Sequence, residues 1–457
     1  MDDHSLQELL RETAEELGVV GAQLAIFDGR EVRQFATGSR HLELKLPVTT
    51  DTLFQIGSTT KVFNAAMMMA LVDNGKLALD APVKSYVKNF RLAQPAAQDS
   101  VTLRHLLSMS AGLDNGPYHD HGRGDDALGR YVEVMAGIPH IFSPGTAFGY
   151  SNASTNVSGY VASRVMGCPW EDLLATFVLK PLGLKRSANF AEELLAHPVA
   201  LGYRVDPKSN AVEPVPGWAM GRAMAPAGGT LSCCAGDLVH FARMFLNGGR
   251  SPDGATVLSP AAIATMHEPQ ITLPTSLMAQ KWGVGPYWKQ WGGYTIHGHS
   301  GTTLQGSSML LWCPEKNIAI AATVNVAAQG YPLANRIFDA VFKPMFGIDK
   351  PLTPDPKSVV PADFEIDLYT GRFEDFGNTI HFANEDGKLV ASIHSNGEIG
   401  GGPSMKTELI PLGNHRFLAA NPAFSGNRMW DVAFWSEPGA GRPNYFLNGM
   451  FPLRRTG

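Results

Sequence analysis

Residues 53–74 read LFQIGSTTKVFNAAMMMALVDN. A run rich in Ala, Met and Leu starts at Ser58, and Gly75, a residue typical of helix C-termini, follows it. The pattern predicts a buried helix over 58–74. The Ser58 hydroxyl would lie at its N-terminus, where free N–H groups and the helix dipole favour developing negative charge. Lys61 would lie on the same face, and a buried amine with a lowered pKa can take or relay the serine proton.

The Ser-x-x-Lys pattern alone carries little information, because average residue usage gives roughly one match in a chain of this length. It occurs a second time, at Ser85 and Lys88. Ser85 follows Asp80 and Pro82 in a short polar stretch, which favours solvated lysines. The helix-opening context therefore favours Ser58 as the nucleophile.

Two further motifs each occur once. Tyr150 and Asn152 form the only Tyr-x-Asn, directly after the loop sequence SPGTAFG. His299 and Gly301 form the only His-x-Gly, after an apolar strand. Loops of this kind present side chains for chemistry, so both motifs are candidates for a site shared with Ser58.

The order of these three motifs resembles that of the serine β-lactamase and penicillin-binding protein family, within its class C-like esterase and D-aminopeptidase branch. The resemblance covers roughly residues 10–345. The stretches that carry it are LFQIGSTTKVFNAAMMMALVDNGKLALDAPV, LRHLLSMSAGL, SPGTAFGYSNAS, PAGGTLS, WGVGPYW and HGHSGTTLQGSSMLLW.

The resemblance implies a role for each matching residue. Ser58 would attack an ester or amide carbonyl to form an acyl-enzyme. Tyr150, as tyrosinate near Lys61, would act as the base and then protonate the leaving group. Asn152 would bind the acyl amide of the substrate or orient Lys61. The backbone N–H groups of Ser58 and Thr302 would form the oxyanion hole.

The third motif departs from the family pattern. Members that act on β-lactams usually carry Lys-Thr-Gly here, and its cation helps to bind a substrate carboxylate. In this chain His299 replaces the lysine and Gly301 is retained. A neutral imidazole binds carboxylate less well than an ammonium group does, so the departure favours esters and amides over β-lactam antibiotics.

The predicted fold class is α+β. Strand patterns near both ends of residues 1–350 predict an antiparallel sheet flanked by helices, with a mainly helical region inserted at about 60–290. Four prolines in KPLTPDPKSVVPADF predict a linker over 351–357. Short alternating segments predict a small β-barrel over 358–457, which also resembles the lipocalin-like domain of some family members.

Composition and charge limit the classes of binding partner that are expected. A net charge of -5 gives no support for binding nucleic acid, and no apolar run is long enough to cross a bilayer. The N-terminus lacks the pattern of a secretory signal, and four cysteines do not form a disulfide framework, so a cytoplasmic location is expected. The motif residues require no cofactor or metal, and His119, Asp120 and His121 are interpreted as a polar loop rather than metal ligands.

These observations predict a serine hydrolase that cleaves a small ester, amide or D-residue peptide through a Ser58 acyl-enzyme. The alternative is an acyltransferase or peptide cyclase on the same scaffold, in which an amine or alcohol takes the acyl group. A β-lactamase and a non-catalytic binding protein rank below both. The sequence does not predict the oligomeric state.

Overall fold

The computed structural model describes residues 1–206, 209, 211–218, 220–275, 278–351, 362–395, 404–419, 431–437 and 440–457. The helices are α1 Asp3–Glu16, α2 Thr60–Asp73, α3 Val83–Tyr86, α4 Pro95–Ser100, α5 Leu103–Leu107, α6 Ala127–Val134, α7 Asn152–Met166, α8 Trp170–Leu174, α9 Ala191–Leu194, α10 Ala235–Leu246, α11 Pro260–His267 and α12 Gly330–Phe346.

The strands fall into two large groups and two small ones. The first large group is β1 Gly21–Phe27, β2 Val32–His41, β3 Leu46–Pro47, β9 Ile271–Thr272, β10 Lys281–Trp282, β11 Tyr287–Trp291, β12 Tyr294–Thr302, β13 Ser307–Cys313 and β14 Ile318–Val324. The second is β15 Gly371–Glu374, β16 Asn378–Glu385, β17 Lys388–Ser395, β18 Met405–Gly413, β19 Arg416–Ala419, β20 Asp431–Trp435, β21 Tyr445–Asn448 and β22 Phe451–Arg455. The short strands are β4 Phe54–Gln55, β5 Ser187–Ala188, β6 Tyr203–Val205, β7 Val212–Pro214 and β8 Ser232–Cys233.

The first group forms one antiparallel sheet, which in the described residues has nine strands in the order β3-β2-β1-β14-β13-β12-β11-β10-β9. Alternate residues of β1 serve two cores. Leu24 and Ile26 pack with α1 and α12, whereas Ala25 and Phe27 pack with α2 and α10. Side chains of a strand point to opposite faces in turn, so helices cover both faces. The predicted α+β class is confirmed.

The predicted helical region of 60–290 is too long at its C-terminal end. The chain returns to the large sheet with β9, β10 and β11 between 271 and 291. Every second residue of β11 from Tyr287 to Trp291 is buried, which is the period of a strand and not of a helix. The last α-helix before these strands is α11.

A small sheet fixes the segment that precedes Ser58. Strand β8 pairs with β4 on one side and with β5 on the other. Directly after β4, the Ile56 N–H donates to the Leu231 carbonyl at 3.1 Å. The PAGGTLS segment therefore runs beside the start of the nucleophile turn.

The C-terminal strands close into a barrel, which has eight strands in the part of the chain that the structure describes. Phenylalanines fill its interior, among them Phe373, Phe382 and Phe434. The predicted barrel is confirmed as part of the fold. The predicted linker, apart from Pro351, lies outside the described residues, and the boundary at 358 stays a proposal. No described helix has the length and apolar character needed to span a membrane.

Candidate active site

Ser58 lies in a 3₁₀ turn, Gly57–Thr59, that leads directly into α2. Gly57 and Gly301 allow the backbone of this turn to approach the backbone of strand β12 closely. A Cβ placed on Gly301 would lie 1.9 Å from the Ile56 carbonyl oxygen and 2.5 Å from the Ser58 nitrogen. A Cβ on Gly57 would lie 2.5 Å from the Thr302 nitrogen. The backbone N–H groups of Ser58 and Thr302 are thus near each other only because side chains are absent there.

Lys61 is 2% exposed and reaches three oxygen atoms. Its Nζ lies 3.0 Å from Ser58 Oγ, 2.6 Å from Asn152 Oδ1 and 2.6 Å from the Ala227 carbonyl oxygen. Burial lowers the pKa of the amine well below its ordinary value, because an ammonium group loses its hydration there.

These contacts specify what the neutral amine can do. A backbone carbonyl oxygen only accepts, and an amide oxygen only accepts, so the contacts to Ala227 and Asn152 each use one N–H of Lys61. A neutral amine has two such hydrogens. Its lone pair then faces the third contact, the Ser58 hydroxyl, and can accept the proton of that hydroxyl.

Tyr150 is 4% exposed and lines the same cavity wall as Ser58. Lys61 Nζ lies 5.0 Å from the centre of its ring. Burial raises the pKa of Tyr150 far above its ordinary value, and the neighbouring Ser58 side chain lowers it to a smaller extent. The phenol form is therefore favoured over the tyrosinate that the family resemblance implies.

Asn152 is the first residue of α7, whose N-cap is Ser151. Its side chain orients Lys61, one of the two roles expected of it. Its Nδ2 donates to Tyr118 Oη at 2.7 Å, and its backbone N–H donates to Asn115 Oδ1 at 3.0 Å. Sequence reasoning missed Asn115, Tyr118 and the Ala227 carbonyl. Ala227 lies inside the quoted stretch PAGGTLS, and Asn115 and Tyr118 follow LRHLLSMSAGL, but no residue type there points to their contacts.

His299 is 2% exposed in β12, among the rings of Tyr150, Trp282 and Tyr287. Burial lowers the pKa of His299 to about 3, with a smaller contribution from Lys61. Its Nδ1 lies 2.7 Å from the Ser300 carbonyl oxygen, so Nδ1 carries the hydrogen. The buried Nε2, which has no partner among the described residues, is then an acceptor.

A cavity of about 210 Å³ brings the predicted residues together. Its described lining includes Ser58, Tyr150, Asn152, His299, Gly301 and Thr302, together with Tyr118, Met220, Met224, Met278, Trp282, Tyr287, Met450 and Phe451. Thioether and aromatic groups thus surround the nucleophile. Every residue of the three motifs except Lys61 lines this space, and Lys61 touches it through Ser58 and Asn152.

The barrel supplies part of the cavity wall. Met450 and Phe451 lie at the turn between β21 and β22. The Tyr150 N–H donates to the Met450 carbonyl at 2.9 Å, and the ring centres of Tyr150 and Phe451 are 5.7 Å apart. A second contact joins the Phe376 N–H to Asp114 Oδ2 at 2.9 Å. The barrel is therefore a structural component of the site.

The other candidates lie apart from this cavity. Ser85 is exposed in the four-residue helix α3, where its hydroxyl donates to the Pro82 carbonyl at 2.6 Å. The described residues contain no group of three His, Cys, Asp or Glu side chains that could hold a metal ion. A larger cavity of about 600 Å³ surrounds Glu171 and Arg222, and none of the motif residues lines it.

Most of the chain is similar to known proteins. The sequence model of the Beta-lactamase family matches residues 6–340. Penicillin-binding protein 4 of Amycolatopsis lactamdurans is 34% identical over 332 residues, which are 72% of this chain and 85% of that protein.

Two groups of solved structures share the fold. The crystal structure of SurE has a TM-score of 0.81 at 25% identity and covers 99% of both chains, and a structure of SurE with D-Leu has a TM-score of 0.80. The D-amino acid amidase of Ochrobactrum anthropi SV3 has a TM-score of 0.62 at 22% identity. It covers 74% of this chain and 98% of its own, so about a quarter of this chain has no counterpart in it.

Proposed function

The chain belongs to the Beta-lactamase family, and from that premise we propose a serine hydrolase that cleaves a small ester, amide or D-residue peptide through an acyl-enzyme on Ser58. One observation carries the proposal. Lys61 is buried beside Ser58 with its two other contacts made to oxygens that only accept, which leaves its lone pair for the serine proton. Such an activated hydroxyl is the requirement for nucleophilic catalysis by serine.

In acylation, Ser58 Oγ bonds to the substrate carbonyl carbon while its proton passes to Lys61 Nζ. The carbonyl oxygen becomes an oxyanion and accepts from the N–H groups of Ser58 and Thr302. The bond to the leaving group then breaks as Tyr150 donates its proton to that group. Lys61 returns a proton to Tyr150, and both groups are again neutral. In deacylation, water attacks the acyl-enzyme carbonyl carbon and gives its proton to Lys61. Tyr150 then protonates Ser58 Oγ as the ester bond breaks, and the acid is released.

The electrostatics favour uncharged substrates. His299 is neutral and presents an acceptor, so it cannot donate to a carboxylate through Nε2. No arginine or lysine lines the described wall of the cavity. A β-lactam antibiotic or a peptide with a free carboxylate at this position would lose hydration without gaining a cation. β-Lactam hydrolysis is therefore less favoured than ester and amide hydrolysis.

Acyl transfer to an amine or alcohol is the second candidate. The apolar wall around Ser58, to which Met450 and Phe451 of the barrel contribute, favours an organic acceptor over water at the acyl-enzyme. The likeness to SurE extends over 99% of the chain, barrel included, and one SurE structure was solved with D-Leu. The extent of this likeness and the structure with D-Leu support a D-configured group as part of the substrate, in hydrolysis as in acyl transfer.

The test is covalent labelling. A fluorophosphonate probe should modify the wild-type protein at Ser58, as located by mass spectrometry of the labelled peptide. Ser58→Ala should lose the label, and Ser85→Ala, the matched control from the second Ser-x-x-Lys, should keep it. Equal labelling of wild type and Ser58→Ala would reject the proposed nucleophile.

Product analysis distinguishes hydrolysis from acyl transfer. A p-nitrophenyl ester is incubated with the enzyme with and without an added D-amino acid amide at constant water activity. Formation of the new amide, at the expense of the free acid and only with intact Ser58, supports transfer. A product ratio that does not change with the amine leaves hydrolysis as the reaction.

A further inference from the structure

Tyr118 is held in a defined orientation by two amide side chains. Asn152 Nδ2 donates to Tyr118 Oη at 2.7 Å, and Asn115 Nδ2 donates to the same oxygen at 3.0 Å. The other end of each amide is also hydrogen-bonded: Asn152 Oδ1 accepts from Lys61 Nζ, and Asn115 Oδ1 accepts from the Asn152 backbone N–H.

The two bonds use both acceptor positions of the phenol oxygen. Burial raises the pKa of Tyr118, so the phenol keeps its proton at neutral pH. That proton has no acceptor among the described residues, while the side chain lines the cavity that contains Ser58. A half-buried hydroxyl with its acceptor capacity filled and its donor unused is suited to donate to a ligand.

The position of Tyr118 shows which part of the substrate it would meet. The cavity lies between two hydrophobic clusters. Tyr118, Met220 and Met224 belong to the cluster around α2, whereas Tyr150 and Phe451 belong to the cluster around α1 and α12. Tyr150 is the proposed proton donor to the leaving group, so the leaving group lies toward the second cluster. The acyl group then extends toward the first cluster and Tyr118.

We propose that Tyr118 donates its O–H to the oxygen of a second carbonyl group in the acyl part of the substrate, a group whose carbon lies three bonds beyond the scissile carbonyl carbon. The inference rests on the proposed function and narrows it. The preferred substrates are acylamino or peptidyl compounds, whose acyl group carries an amide carbonyl, in preference to simple alkanoyl esters. Tyr118 is then a specificity-determining residue in contact with the substrate.

The test uses two p-nitrophenyl esters of equal shape. Levulinic acid carries a ketone oxygen at the position of the amide carbonyl of an N-acetylamino acid, and isocaproic acid carries a methyl group there. Each kcat/KM is divided by the hydroxide-catalysed rate of the same ester. Wild type should favour the levulinate about tenfold, the size of one neutral hydrogen bond in a desolvated site. Tyr118→Phe should reduce this ratio to about one.

The matched control is Tyr160→Phe, at another half-buried tyrosine whose ring lines the larger cavity. It should keep the wild-type ratio. Thermal unfolding of both variants reports on folding. If Tyr118→Phe does not fold, the levulinate-to-isocaproate ratio of wild type is the test. A ratio of about ten supports the inference, and a ratio of about one overturns it.

Three other outcomes contradict the proposal in different ways. An equal loss on both esters in Tyr118→Phe would mean that Tyr118 only positions Asn152 and Lys61. A ratio unchanged by Tyr118→Phe would place the acceptor elsewhere. Hydrolysis of both esters no faster by wild type than by Ser58→Ala would reject the proposed function and the inference together.

Discussion

Lys61 Nζ lies 3.0 Å from Ser58 Oγ, and the remaining hydrogen-bonding capacity of this amine is taken by Asn152 Oδ1 and the Ala227 carbonyl. The amine cannot turn away from the serine without breaking a bond to a buried oxygen. Because burial also lowers the pKa of Lys61, the neutral base is present at a lower pH than for an exposed lysine.

The first prediction concerns pH. The reactive amine must be neutral, so kcat/KM for an uncharged ester should rise through the lowered pKa of Lys61 and level off well below pH 10.5, the ordinary lysine value. Lys61→Arg, which stays protonated, should lose roughly 10²–10⁴-fold at every pH because it removes the general base. A rate that continues to rise to pH 10.5 in wild type would contradict a lowered pKa.

The second prediction concerns the contact between Gly301 and the nucleophile turn. Gly301→Ala should lower kcat at least about 100-fold, because the new methyl group would displace backbone at Ile56 and Ser58 and separate the oxyanion donors. Gly137→Ala, where a Cβ meets nothing within 4 Å, is the control and should keep full activity. Steady-state kinetics and a melting curve are measured for both. Normal kcat in Gly301→Ala would exclude this oxyanion site.

The third prediction concerns the barrel. Phe451→Ala should reduce kcat/KM about tenfold for an ester with apolar groups, because it removes part of the cavity wall beside Tyr150. Phe364→Ala changes another half-buried phenylalanine of the barrel, which packs on Phe417 and Tyr369. It should affect the melting temperature but not kcat/KM. Equal kinetic effects of the two variants would mean that the barrel acts only through stability.

The fourth prediction concerns the acidic pair between the barrel and the first part of the chain. Burial, together with Asp375, raises the pKa of Asp114, and burial raises that of Asp375. The folded state thus binds protons more tightly than the unfolded state. The resulting stability is fully present below the ordinary carboxyl pKa of 3.8 and is lost as pH rises through the raised folded-state pKa.

The melting temperature should therefore fall between about pH 5 and pH 8, and Asp375→Asn should reduce this slope because it removes one of the two acids. Asp99→Asn, at an exposed aspartate paired with Lys84, is the control and should keep the wild-type slope. Differential scanning calorimetry at several pH values gives the comparison. An identical slope in Asp375→Asn would show that the pair does not titrate in this range.

Local sequence signals predicted some elements better than others. The antiparallel sheet could be predicted from the patterns of β1, β2 and β12 to β14, because hydrophobic period and turn residues are local properties. Helix α5 ends at Leu107 within LRHLLSMSAGL, because Met109 adopts a left-handed backbone with φ of 56°. The residue types around Met109 do not predict that conformation.

The sequence predicts Ser58 as the nucleophile, because a helix-opening serine and the two later motifs can be recognised from residue type and order. It also determined the substitution of His299 for a cation. Tertiary structure alone decided the proton state of Lys61 and Tyr150, since burial depends on the whole core. Only folding could bring Tyr118 and the barrel residue Phe451 to Ser58, because contacts between residues so distant in the chain are fixed by the packing of the two cores and the barrel, and by no local pattern.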